Sequence, residues 1–317
     1  MDLVIELLKT DLLELRNHLE FTEKIKIEIL SSSDNFKYSR SSIKRKFDYN
    51  SVIISLYGLI ENYIEKYCYE YIENIEKIIT DYNFLETKFR YNHFNLSIEL
   101  IKKIIENRHS KFSNISKEIV LNNLNYCITN GKNFKLNKEA FTLTTGNLKH
   151  SKICETIGYL NIKLDQKLKH FSEFKSNTEN IFNPIDDLVQ RRNEIAHGNI
   201  QDILDSTSVF PLIDFVSNYL FSIGRVLKEE LDQISNLNKK TYQSVFINDI
   251  KVISEKILGI QNGKKYNLNK GDEVLIEKSD KNIISCVIVD IKSFDNNDIT
   301  IKLSSKIKDS YSFYKVN

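Results

Sequence analysis

From Leu3 to about Ile234 the apolar side chains of this chain recur every three or four positions, and after about Asn236 they alternate. The first period can bury its apolar residues only by packing helix on helix; the second belongs to strands of a sheet. Only 2 Pro and 9 Gly occur in 317 residues, so little in the sequence interrupts a helix. The clearest stripe is Val52, Ile53, Leu56, Leu59, Ile60, Tyr63, Ile64, Tyr67, Tyr71 and Ile75, with Asn50 and Ser51 as expected caps. Weaker stripes cover 3–30, 94–107, 114–127, 147–159 and 167–182, and stronger ones follow Pro184 and Val209. Residues 130–146, with Asn-Gly, several Lys and three Thr, are predicted to form a long loop inside the bundle.

The expected fold is therefore mainly α, a helical bundle over residues 1–235 followed by a small β domain over 236–317. Strands are predicted at Glu273–Glu277, Ile284–Ile291 and Ile299–Leu303, separated by turns at 270–272, 279–281 and 295–298. An SH3-like barrel is the expectation for this tail, with a small open sheet as the alternative.

Charge excludes more than it assigns. Lys plus Arg number 45 against 43 Asp plus Glu, which fits neither a strongly basic nucleic-acid binder nor an acidic mimic. Cys68, Cys127, Cys154 and Cys286 lie far apart with no Cys-x-x-Cys, so no zinc site or disulfide framework is expected. The chain opens with an acidic residue where a signal peptide needs a basic one, and its best apolar run, Ser51 to Ile60, stops at Glu61 and Asn62. A cytoplasmic protein without a membrane span is expected.

Common catalytic signatures are absent: there is no P-loop, Gly-x-Ser-x-Gly, His-Glu-x-x-His or Gly-x-Gly-x-x-Gly. One segment, from Asn183 to Gly198, can be read residue by residue. Asn183 is an expected N-cap, Pro184 suits the first helical position, Asp186 and Asp187 suit the positive helix end, and Gly198 supplies the stop. His197 then sits in the last turn, where unpaired carbonyls favour imidazolium, a placement suited to a general acid or base. Arg192 falls in the apolar stripe of Ile185, Leu188, Val189, Ile195 and Ala196, so its guanidinium needs a carboxylate, a partner subunit or a phosphate nearby. Asn193, Glu194 and His197 occupy a polar side with Gln190. In a regular helix Arg192 and His197 point roughly 140° apart, so a symmetric dimer is the simplest way to bring both residue types to one site.

The string Arg-Asn-x-Ile-Ala-His-Gly (192–198) resembles the signature of the HEPN superfamily (higher eukaryotes and prokaryotes nucleotide-binding), in which an Arg is followed by four to six residues and a His. Residues 54–64, Ile-Ser-Leu-Tyr-Gly-Leu-Ile-Glu-Asn-Tyr-Ile, look like the first bundle helix of its branch in bacterial defence and toxin loci. Gly146-Asn-Leu and Ile157-Gly-Tyr-Leu are similar too. The likeness covers about residues 45–230 and does not reach the β tail. It implies a helical homodimer with a metal-independent endoribonuclease site at the subunit cleft, no cofactor, RNA as substrate, and an antitoxin or defence-system partner. Arg192, Asn193 and His197 would be catalytic, with Glu61, Arg191 and Glu194 supporting. Glu61 is the candidate partner of Arg192, and Arg191 the candidate contact to substrate backbone. Some members are toxins silenced by nucleotidyl transfer to a Tyr two residues past the His; here that residue is Asn199.

Lys37, Arg40, Lys44, Arg45 and Lys46 form a basic cluster that is a candidate for gripping RNA phosphates, though such a cluster is more often a solvated loop. His93, His109, His150 and His170 read as surface or packing residues. The reading of a different class is a non-catalytic dimeric module that recruits a protein or nucleotide partner.

Overall fold

The computed structural model describes all residues except 32–36, 107–111, 113, 144–146, 176–179, 201, 243, 280–282, 295 and 317. Among the described residues the chain forms α1 (Asp2–Ser31), α2 (Lys37–Ile78), α3 (Thr87–Glu106), α4 (Lys117–Thr129), α5 (His150–Gly158), α6 (Leu164–Leu168), α7 (Asn183–Ala196) and α8 (Ser206–Tyr242). Seven strands follow: β1 (Ser244–Phe246), β2 (Ile250–Ser254), β3 (Ile257–Ile260), β4 (Glu273–Glu277), β5 (Ile283–Ser293), β6 (Ile299–Leu303) and β7 (Ser312–Val316). The fold is mainly helical with a C-terminal antiparallel sheet. Two compact units divide it, Met1–Glu73 with Asn137–Glu229, and Asn74–Leu136 with Glu230–Asn317.

In the first unit α1 runs antiparallel to both α2 and α8. The Met1 amino group meets Glu70 and the Tyr63 hydroxyl donates to Asp11, while Lys228 pairs with Asp2 and Arg16 with Asp214. The tyrosine stripe of α2 is core: Tyr57, Tyr63, Tyr67 and Tyr71 are all buried. Gly224 lets α8 approach it, because a Cβ there would lie 2.8 Å from the Tyr67 hydroxyl.

In the second unit α3 buries His93, whose Nδ1 lies 3.1 Å from the Tyr82 hydroxyl. Burial lowers the His93 pKa to about 4. The sheet has strand order β1-β7-β4-β5-β6-β3-β2. Its eleven-residue β5 pairs with β4 through its first half and with β6 through its second, with a bulge between Ile288 and Asp290. That bulge bends the sheet around one core, which includes Leu258, Val274, Ile276, Cys286, Ile301 and Phe313.

Several expectations are corrected. Asn50 and Ser51 do not start α2, which begins at Lys37; no Pro or Gly lies between Lys37 and Ser51 to stop it. Asn183 is the first residue of α7 and Phe182 its cap, with no side-chain capping bond. The stripe at 167–182 is not one helix. α6 ends at Leu168, Phe171 is extended, and a 3-10 turn at Ser172–Phe174 buries Phe174. Residues 236–242, read as the start of the β domain, still belong to α8. The predicted β4 and β6 match and the third predicted strand lies inside β5; the sheet is an antiparallel half-barrel with edges β1 and β2, nearer to the open-sheet alternative than to the SH3-like barrel.

Candidate functional site

The C-terminal half of α7 carries the segment singled out from sequence. Its first half is pinned: Ile185, Leu188 and Val189 are fully buried, and the Asp186 carboxylate accepts the His150 backbone N–H at 2.8 Å, capping α5 from outside that helix. The second half emerges. Ile195 is half-buried, and Ala196 and His197 are exposed, so the apolar stripe ends before the helix does.

The helix stops as the sequence requires. Gly198 adopts φ +73°, its N–H donates to the Ile195 carbonyl at 3.1 Å, and the Asn199 N–H donates to the Glu194 carbonyl at 2.9 Å. This is the Schellman closure, and it makes His197 the C-cap residue. Among the described residues the His197 imidazole has no hydrogen-bond or ion-pair partner, which leaves both ring nitrogens available to a ligand.

Arg192 is half-buried, and among the described residues no carboxylate pairs with it. Its guanidinium carbon lies 4.8 Å from the centre of the Tyr57 ring, and one nitrogen donates to the Asn193 side-chain oxygen at 3.1 Å. An aromatic face satisfies a cation without neutralising it, so Arg192 keeps charge and free donors for an anion. Tyr57 is itself fixed, buried in α2 with its hydroxyl accepting the Leu148 N–H at 3.3 Å. Burial raises the Tyr57 pKa, with the adjoining Glu61 carboxylate acting in the same direction and Leu148 and Arg192 against it. Glu61 thus stands beside Tyr57 rather than in an ion pair with Arg192. Tyr57 is not among the candidate site residues read from the sequence.

Arg191 is placed differently. Its Nε donates to Asp187 at 2.7 Å and another nitrogen to the Tyr49 hydroxyl at 3.1 Å. Burial disfavours the charge, but these two partners offset it and raise the pKa overall. The side chain expected to touch substrate backbone is a strut between α7 and α2. Glu194 accepts from the Gln190 amide at 3.1 Å. Asn193 contacts Arg192, and among the described residues no side-chain bond to His197 accompanies it.

Of the basic cluster, the side chains of Lys37 and Arg40 lie outside the described residues. Lys44 pairs with Asp48 at 2.6 Å, Arg45 donates to the Ile203 carbonyl at 3.1 Å, and Lys46 is exposed. Arg45 and Lys46 are thus both exposed, the former with a backbone partner, while the half-buried Lys44 is tied to Asp48. Among the described residues no group of three His, Cys, Asp or Glu side chains is arranged to hold a metal ion, and no helix is long and apolar enough to cross a membrane.

The model of the RiboL-PSP-HEPN family matches residues 17–229, more than half of the chain, and the chain belongs to this family within the HEPN superfamily. Membership points to a nuclease or other RNA-related function. Neither the curated proteins nor the solved structures contain a match.

Proposed function

We propose that this protein is a metal-independent endoribonuclease in which His197 moves protons and Arg192 holds the scissile phosphate. The observation that carries this reading is the pairing of a free imidazole at the end of α7 with a cation anchored by a ring instead of a carboxylate. An RNA 2′-hydroxyl attacks the adjacent phosphorus, forming the bond to O2′ as the bond to O5′ breaks. The 2′-hydroxyl loses its proton, the departing 5′ oxygen gains one, and Arg192 offsets the charge that grows on the phosphoryl oxygens. The products are a 2′,3′-cyclic phosphate and a 5′-hydroxyl, and DNA is inert because it lacks the nucleophile.

A homodimer brings the two residue types into one cleft. Supporting this are the exposed end of the α7 stripe and the exposed Phe47 and Ile54 on α2, the helix whose Tyr49 and Tyr57 contact α7. The biological role we propose is that of a cytoplasmic toxin or anti-phage effector, restrained by an antitoxin or defence-system partner until triggered.

The test is incubation of the purified full chain with labelled RNA in EDTA, followed by mapping of the new ends. Cleavage that leaves 5′-hydroxyls and disappears in His197→Ala supports the reading. Cleavage lost on chelation would contradict the metal-free mechanism. No cleavage by wild type, with binding intact, favours the non-catalytic module.

A further inference from the structure

The two ends of the open sheet differ in character. Across β7, β4 and the start of β5 the side that carries Glu273 and Glu277 is covered, with Leu275 between them fully buried; one carboxylate bonds to Ser285 and the other to the Tyr314 hydroxyl. Across β5, β6, β3 and β2 the register places Lys292 opposite Thr300, Thr300 opposite Gly259, and Gly259 opposite Lys251. Because side chains alternate along a strand, these residues share one face, and Lys302, two residues from Thr300, joins them. The opposite side of the same strands holds the core residues Leu258, Ile260, Ile299, Ile301 and Leu303.

Lys251, Lys292 and Lys302 are exposed, and among the described residues none of them takes part in an ion pair. Asp290, opposite Lys302, and Asp298, two residues before Thr300, are carboxylates on that side; Asp290 accepts the N–H of Ile291, and Asp298 accepts the N–H of Asn262 and the Asn296 amide. Phe294 lies two residues beyond Lys292, where its N–H bonds to the Asp298 carbonyl, so it projects on the lysine side and is 50% exposed. Gly259 adds no side chain of its own to the middle of the row, and the Ile253 side chain packs over it, its Cδ1 3.1 Å from where a Cβ on Gly259 would stand.

From this juxtaposition we infer that the β5-β6-β3-β2 face is a binding surface for single-stranded RNA. Three cations on a curved sheet follow a phosphodiester backbone, and an exposed phenyl ring beside them stacks an unpaired base. A duplex offers the phosphates but not the free base. An acidic peptide would use the lysines but leave Phe294 idle. The inference deepens the ribonuclease reading by giving the tail, which lies beyond the family match, a role in holding substrate.

The experiment is a binding titration of full-length His197→Ala protein with a short labelled single-stranded RNA over a range of salt. The variants are Lys251→Gln/Lys292→Gln/Lys302→Gln, Phe294→Ala, and, as control, Lys306→Gln, whose partner is Glu255. All these side chains are exposed, so the fold is retained, and circular dichroism checks it. The triple variant is expected to bind at least tenfold more weakly and to flatten the plot of log K against log salt by about 2, from roughly 0.7 per phosphate contact. Phe294→Ala is expected to weaken binding about fivefold or more. The control should match the parent. An unchanged affinity and slope in the triple variant overturns the inference, as does polyglutamate binding equally well with no dependence on Phe294. Cleavage assays separate the two claims. RNA cleavage by wild type with no effect of the lysines sinks this face alone, whereas lysine-dependent binding by a chain that never cleaves sinks the nuclease reading alone.

Discussion

Two histidines of the same unit stand at opposite ends of their helices, His150 opening α5 and His197 closing α7. His150 is enclosed. Its ring stacks on Phe182 with centroids 4.0 Å apart, Nδ1 lies 2.8 Å from the buried Tyr219 hydroxyl, and Nε2 lies 3.3 Å from Asp165 and 3.4 Å from the Cys154 sulfur. A carboxylate can only accept, so this network assigns the proton to Nε2 and makes Nδ1 the acceptor from Tyr219. His197 has solvent on its ring. The contrast teaches that a histidine whose nitrogens are both satisfied inside the fold is structural, however catalytic its neighbours look. Cys154 is structural for a related reason, since burial pushes its thiol up to about 12 and away from the thiolate a nucleophile needs.

The largest expected effect separates the two directly. His197→Ala should lower the rate of RNA cleavage about 10²- to 10⁴-fold and change stability by no more than about 0.5 kcal/mol, read by single-turnover kinetics and urea unfolding. His150→Ala should do the reverse, costing about 2–4 kcal/mol through a cavity and an orphaned Tyr219 hydroxyl while cleavage per folded molecule is kept. Equal loss of cleavage in both variants, at matched folded fraction, would erase the distinction.

The ring under the guanidinium should matter less than the imidazole. Tyr57→Leu should lower kcat by about two- to thirtyfold through loss of the cation–π contact, whereas Tyr57→Phe keeps the ring and most of the rate. If Phe behaves like Leu, the hydroxyl and Glu61 matter more than the face.

The His150 contrast also predicts a pH dependence of stability. Burial lowers the His150 pKa from 6.5, against the pull of Asp165 and Asp186 and with that of Lys169. Because the fold prefers the neutral ring, the unfolded chain takes up its proton first as pH drops. The contribution is thus intact above about pH 6.5 and lost as pH falls through the folded value. His93 acts the same way in the other unit between 6.5 and about 4, a loss on the order of 3 kcal/mol. Thermal melts from pH 7 to pH 5 should decline less steeply in His150→Phe than in wild type, and identical slopes would count against a depressed His150.

The end of α7 was legible because its signals are local. Pro184, the apolar triplet, Gly198 and the placement of His197 all depend on residues within a turn or two, and the backbone obeys them. The strands β4 and β6 were legible for the same reason, their alternation being written in five residues each. What failed were the 167–182 stripe, where Phe174 and Phe182 are buried in a pocket without helical spacing, and the short strands β1 to β3 and β7, which acquire their meaning only from their pairing.

The sequence by itself determined a helical bundle, a sheet after it, and a helix ending on a histidine, since backbone propensity and periodicity act over a few residues. Only the tertiary structure decided what Arg191 and Arg192 each meet. They are neighbours on one helix, yet the first is tied to Tyr49, 142 positions away, and the second rests on Tyr57 with donors to spare. A helix aims successive side chains about 100° apart, and what each one meets is set by packing with distant segments, which no local pattern encodes.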